Sequence, residues 1–154
     1  MKINLIGSDL SVVIDEDDNN IISQYKWYLH KCGKYRYAVG FNSGGKRKNT
    51  FMHRLLMNAQ RGEIIDHIDG DGLNNSRINL RKATKQQNLW NGKYRKNNSG
   101  FKGVHYVKDR KKFRAEISIN GQSTHIGYYP TAIEAHEAWA VLAKKLHGEF
   151  FRAR

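Results

Sequence analysis

Cysteine, acidic charge and long apolar runs are all scarce in this 154-residue chain. The one cysteine, Cys32, cannot form an internal disulfide, and a four-cysteine zinc site is impossible. The core must therefore come from side-chain packing, with aromatic residues at 11% of the chain to build it. No apolar run approaches the roughly 20 residues that a membrane-spanning helix needs. The opening MKINLIGSDLSVVIDEDD does not read as a signal peptide, because acids follow its short apolar patch. A soluble cytoplasmic protein, not tied to a membrane, is expected. Asp and Glu number 14 against 27 Lys and Arg, a formal net charge of +13. A field of that sign draws polyanions, and nucleic acid is the commonest partner behind it.

The length fits one ordinary domain or two small modules. Residues 1–92 carry 14 bases and 9 acids, a net of +5, while residues 93–154 carry 13 and 5, a net of +8. Between them GKYRKNNSG, residues 92–100, is polar, flanked by glycines and without apolar period. It reads as a linker, a wrapping arm or a solvated loop. The expected division is thus 1–91, a basic connection over 92–100, and 101–154.

In the first part, SVVI (11–14) and RYAVGF (36–41) read as short strands, with Trp27 and Tyr28 packing a small β-rich lead-in. Ser43-Gly44-Gly45 reads as a turn, and Lys46, Arg47 and Lys48 come next at a loop tip suited to phosphate or simply to solvent. In the last part, Phe113, Ala115, Ile117 and Ile119 alternate with Lys112, Arg114, Glu116 and Ser118, the period of a half-buried strand. Asn120-Gly121 suits a type I′ hairpin turn, and QSTHIGYY (122–129) would be the return strand. Strict alternation puts Ser123, His125, Gly127 and Tyr129 on one face and Thr124, Ile126 and Tyr128 on the other. Pro130 ends that strand, and Thr131-Ala132-Ile133-Glu134 is a capping box opening a helix. Its apolar stripe is Ala135, Ala138, Trp139, Leu142 and Leu146, with Gly148 as the stop. The expectation is a three-stranded antiparallel sheet with one helix on its apolar face and a bare polar face opposite.

The densest chemistry lies in IDHIDGDGLNN, residues 65–75: three carboxylates, a histidine and two asparagines in eleven residues. A calcium loop starting at Asp69 would need glycine sixth and glutamate twelfth, where this chain has Asn74 and Leu80, so that reading fails. Ile78-Asn79-Leu80 reads as a second short strand, and Thr84-Lys85-Gln86-Gln87 as a capping box with Asn88 in the helix it opens. The outline is strand, polar loop, strand, helix. A polar turn without chemistry remains open on this stretch alone.

The text MHR (52–54), DHIDGDGLNN (66–75), NLR (79–81), AT (83–84) and QN (87–88) resembles the HNH endonucleases, in particular the phage and intron homing subgroup. The resemblance implies a ββα-metal nuclease holding one divalent ion, Mg2+ or Mn2+, and therefore an α+β fold. It implies Asp66 and Asn88 as metal ligands, His67 as the general base and Asn79 as the brace that orients the imidazole. Where the family has a last histidine this chain has Asn88, as in the homing subgroup. A carboxylate and an amide oxygen are hard ligands suited to such ions. Asp66 and His67 cannot face one site from within a regular strand, so they should lie at its end. Asp69 and Asp71 read as loop-formers, His53 as a packing or loop-anchoring residue with phosphate contact second, and at least one of Arg77 and Arg81 as a phosphate contact.

Residues 101–150 resemble the plant APETALA-type (ethylene-response-factor) DNA-binding domain, through the KGV start, AEI, IGYY and the T-x-x-E-A helix start. That likeness implies a sheet laid in the major groove of double-stranded DNA, with contacts from Lys102, His105, Glu116, Ser118, Ser123 and His125. Lys111, Lys112 and Arg114 are added on charge. His105, Ser118, Ser123 and His125 depart from the arginines and tryptophans of the plant domains, which implies a different sequence read. Together the two likenesses imply a site-specific DNA endonuclease in a bacterial or phage-infected cell, nicking as a monomer, with paired cuts requiring a DNA-induced dimer or two binding events. The alternatives are a DNA-binding regulator without catalysis and an RNA-binding protein, the latter lacking the expected aromatic stacking pair.

Overall fold

A computed structural model describes residues 1–42, 49–92, 97–119 and 121–153. The chain is α+β and divides into two compact units, Met1–Lys85 and Gln86–Arg154.

The first unit opens with β1 (Lys2–Asn4) and β2 (Ser11–Val13), an antiparallel pair, followed by a short helix α1 (Asn19–Ile22). Next comes an antiparallel sheet of β3 (Tyr25–Cys32), β4 (Tyr35–Asn42) and β5 (Asn49–Phe51), in that spatial order. Helix α2 (Met52–Leu56) leads to the last pair, β6 (Ile64–His67) and β7 (Leu80–Ala83). The strand β3 is additional to the sequence reading, which took Trp27 and Tyr28 only as packing residues. Aromatic side chains on both of its faces hide its period: Trp27 is buried, while Tyr28 packs edge-on against Phe41. The expected turn at 43–45 and the basic tip at 46–48 lie outside the described residues.

The core of this unit joins Leu5, Val12, Ile14, Ile22, Trp27, Ala38, Met52, Leu56, Ile65, Leu73 and Leu80. Leu73 is the anchor of the long β6–β7 loop, which it sinks into that core. The loop is stitched to β2 by Val13 N–H donating to the Leu73 carbonyl (2.8 Å) and Asn75 N–H donating to the Val13 carbonyl (2.7 Å). Gly72 lets it lie against β4: a Cβ there would sit 2.3 Å from the Arg36 carbonyl oxygen and 2.5 Å from the Tyr37 ring. Gly70, at φ +67°, supplies a left-handed turn that side chains rarely adopt. The Ile78-Asn79-Leu80 strand is corrected: Arg77–Asn79 form a 3-10 turn and the strand starts at Leu80.

The second unit takes in helix α3 (Lys85–Asn91) from Gln86 onward, then β8 (Val104–Val107), β9 (Lys112–Ile119), β10 (Gln122–Tyr129) and helix α4 (Ala132–His147). The sheet is antiparallel in the order β10-β9-β8 and packs on α4 through Val104, Ala115, Ile117, Ala135, Trp139 and Ala143. Thr131 caps α4 by accepting from Glu134 N–H at 3.2 Å, and the helix ends at Gly148. The buried stripe of α4 is Ala135, Trp139, Ala143 and His147, and Leu146 is exposed, so the stripe lies slightly around the helix from the one expected. Asn97 and Ser99, in the stretch read as a connection, bind the carbonyls of Phe101 and Val104 and are folded onto this unit.

Strict alternation fails in β10. His125 pairs with Glu116 but Gly127 pairs with Ala115, so Ile126 is an extra residue, a β-bulge. Beyond it the faces exchange: Tyr128 stands opposite Arg114 on the polar side and Tyr129 opposite Phe113 on the apolar side. Asn120 of the hairpin turn lies outside the described residues.

Candidate active site

Asp66 and His67 are the last two residues of β6, and both are buried, at 5% and 6% exposure. In the β6–β7 register Asp66 faces Arg81, whose Nε donates to the Asp66 Oδ2 at 2.9 Å while its Nη2 lies 2.9 Å from the same oxygen. Arg81 is only 11% exposed in its side chain, so the outward phosphate contact expected of it is corrected to an inward ion pair with the candidate ligand. Arg77 is likewise engaged: its guanidinium grips the Asp18 carboxylate at 2.6–3.1 Å and its N–H donates to the Asp15 carboxylate at 2.7 Å. Its side chain is half exposed and leaves an edge toward solvent.

The His67 ring is enclosed by Tyr37, at 6.1 Å between centroids, and by His53, edge-on at 5.0 Å. Burial pulls its pKa below the usual histidine value; a side-chain hydrogen bond with Asn75 and the charges of Asp69, Asp66 and Asp71 pull the other way. Burial outweighs these, and the net shift is downward. His53 is held far lower, at about 3, by burial first and then by His67 and Arg54. Its Nδ1 is buried with no hydrogen-bond partner among the described residues.

Asn79 organises the loop behind this pair. Its Nδ2 donates to the Asp69 carboxylate (2.9 Å) and the Asn74 carbonyl (2.8 Å), while its Oδ1 accepts from Asp69 N–H (3.0 Å). Asp69 also accepts from Asp71 N–H and from Asn74 Nδ2, each at 2.8 Å. Burial alone would raise its pKa, but these hydrogen bonds outweigh it and lower the value. Asp71 accepts from Leu73 N–H at 3.0 Å. Both carboxylates thus shape the loop. Asn88 sits exposed on α3.

Three residues of this neighbourhood escaped the sequence reading. Asn75 is fully buried beside His67, Tyr37 reaches it from β4, and Asp18 holds the 3-10 turn through Arg77. Only Asn75 lay in the suspect stretch; the other two are distant from it in sequence.

The two residues that the family likeness names as ligands, one in each unit, carry the donor chemistry of a hard dication. Asp66 offers a carboxylate and Asn88 an amide oxygen, and a small ion such as Mg2+ keeps several waters and needs few protein oxygens.

In the second unit the sheet's polar face gathers six of the expected contact residues. Cross-strand partners share a face, and the pairs are Ser123 with Ser118, His125 with Glu116, and His105 with Arg114. Glu116 lies between His105 (3.2 Å) and Arg114 (2.5 Å), which orients both. Lys112 stands on the same face at the strand's start, and Lys111 occupies the left-handed position before it. Tyr128 and Arg110 join them: Arg110 lies 4.5 Å over the Tyr128 ring, and His125 contacts that ring at 4.7 Å. The sequence reading missed Tyr128 because the bulge was invisible to it, and Arg110 because it lies on a 3-10 turn outside the strands. Lys102 is corrected. Its Nζ donates inward to the carbonyls of Trp90 (2.6 Å), Gly92 (3.1 Å) and Arg152 (3.3 Å), and burial lowers its pKa to about 8. All three ammonium donors are occupied, so it fastens segments of this unit together.

Residues 51–89 match the HNH endonuclease family. An uncharacterized HNH endonuclease of Acanthamoeba polyphaga mimivirus is 35% identical over 146 residues, which span 94% of this chain and 74% of the relative. Protein 3.8 of Escherichia phage T7 is 36% identical over 96 residues, 61% of this chain and 78% of the relative. No solved structure matches the chain. Among the described residues, no helix is long and apolar enough to cross a membrane.

Proposed function

Since the chain belongs to the HNH endonuclease family and is a nuclease by that membership, we propose that it hydrolyses one phosphodiester bond in a specific site of duplex DNA, in the homing manner, nicking one strand per monomer. The observation that carries this reading is the buried His67 imidazole, enclosed by Tyr37 and His53, next to the Asp66 carboxylate at the end of β6.

His67 takes the proton of the attacking water, whose oxygen forms the new bond to phosphorus. The bond to the 3′ oxygen breaks, the departing alkoxide takes a proton from solvent, and 5′-phosphate and 3′-hydroxyl remain. Tyr37 and His53 restrict the imidazole to one orientation, and Asn79 fixes the loop that carries it. By the family likeness, Asp66 and Asn88 would hold one Mg2+ or Mn2+, which when bound supplies charge stabilisation to the oxygen that departs. Arg81 keeps the Asp66 carboxylate in one rotamer. The polar sheet face of the second unit selects the site, in the manner of the APETALA-type domain it resembles, with His105, Arg114, Glu116, Ser118, Ser123 and His125 as the contacts. A net charge of +13 supports a long polyanionic partner. Viral and phage relatives support action in an infected cell.

The test is nicking of supercoiled DNA and of large phage genomes with Mg2+ or Mn2+, against a chelator control. Nicks that appear only with metal are expected. Tight DNA binding without a cut, across metals and substrates, hands the protein to the class of DNA-binding regulators.

A further inference from the structure

Among the described residues no large apolar side chain is more exposed than Ile78, at 89%. A single exposed isoleucine asks for no explanation. This one sits on the 3-10 turn directly before Asn79, and Ile68, itself 41% exposed, directly follows His67. The Ile68 N–H donates to the Asn79 carbonyl at 2.9 Å, so the two isoleucines flank the brace of the site.

The knuckle that presents them is fastened on several sides. Arg77 N–H binds Asp15, the Arg77 guanidinium grips Asp18, and the Asn79 side chain binds Asp69 and Asn74. Both apolar side chains are β-branched and hold few rotamers, so little freedom is lost when they are inserted into something. Folding gains nothing from a side chain left 89% in water. A stacked base step offers apolar surface, and branched apolar side chains unstack and kink duplexes by entering between base pairs.

We propose that Ile78, supported by Ile68, is a wedge that enters a base step of duplex DNA beside the bond to be cut and opens the backbone toward His67. This rests on the reading of the protein as a DNA endonuclease.

The experiment uses the full chain and a duplex that the wild type nicks, with 2-aminopurine at the steps around the nick. Without metal, binding of the wild type should raise the 2-aminopurine fluorescence at one step, and Ile78→Ser should leave it at the free-duplex level. With metal, Ile78→Ser should slow nicking of the intact duplex about tenfold or more. A mismatch at that step should restore the rate. Thermal unfolding serves as the folding control and should be unchanged, since the side chain is exposed. Equal fluorescence and equal rates for Ile78→Ser and wild type overturn the wedge and leave the nuclease reading intact. So does a slowed rate that the mismatch fails to restore. If the wild type nicks no duplex at all, the nuclease reading fails and the wedge falls with it.

Discussion

The first unit buries Asp18, Asp66, His67, Asn75 and Asn79 beside its apolar core, whereas the second, among its described residues, buries Asn91 and His147 as its polar groups. Burying a polar group is costly unless it is paired, so a unit tolerates many only where a network satisfies them. In the first unit that network is the β6–β7 loop, held by Asn79, Asp69 and the backbone of β2. In the second, the sheet and α4 meet through small and aromatic apolar residues, and the polar groups stay on the open face. Polar groups are gathered inside one unit and laid out on the surface of the other.

That contrast can be broken most severely at Asn79. Asn79→Ala removes three hydrogen bonds at a buried position and leaves Asp69 with fewer donors. It should destabilise the first unit by about 3 kcal/mol and lower nicking at least roughly a hundredfold on misplacing the base. Denaturant unfolding together with single-turnover nicking checks this, and an unaltered loop would show both unchanged.

Among the described residues of the second unit, one buried titratable group has no partner for either nitrogen. His147 stacks on Trp90 at 4.3 Å, and neither ring nitrogen has a partner among the described residues. Burial, then the nearby Lys102 charge, lowers its pKa to about 4. Below about pH 6.5 the unfolded chain takes up a proton that the folded unit refuses. Stability present above about pH 6.5 is therefore lost as the pH falls toward about 4. His147→Phe keeps the stack and should flatten that slope, as read from unfolding midpoints between about pH 7 and 4.5.

Lys102→Met separates an internal cation from a DNA contact. Three carbonyls lose their donor, and the second unit should lose about 2 kcal/mol. The salt slope of DNA binding should not change; a phosphate contact would lower it by about one. The smallest effect belongs to Thr131→Ala, which deletes the α4 cap and should cost about 1 kcal/mol by denaturant unfolding.

The two units also differ in how far the sequence revealed them. Strands β9 and β10 were legible to the residue, because a sheet with one wet face writes its alternation directly into KFRAEISI and QSTHIGYY. Thr131 announced α4 for the same kind of local reason. The bulge at Ile126 was not legible, since one inserted residue leaves the composition unchanged while exchanging the faces of Tyr128 and Tyr129. In the first unit the stretch 66–75 stood out by composition, and its likeness to a nuclease family carried the reading. Its surroundings did not stand out. Asn79 looked like strand because nothing local shows that its amide is taken up by a loop ten residues back. The inward turns of Arg81 and Lys102 depend on which carboxylate or carbonyl lies opposite, which only the folded chain decides.

The central claim is that His67 is the base of a metal-dependent nuclease, and single-turnover nicking by wild type and His67→Ala, on the same DNA with Mg2+ or Mn2+, tests it most directly. The account predicts that the alanine variant binds DNA as the wild type does and nicks it at least roughly a hundredfold more slowly. Equal cleavage by both proteins would contradict it.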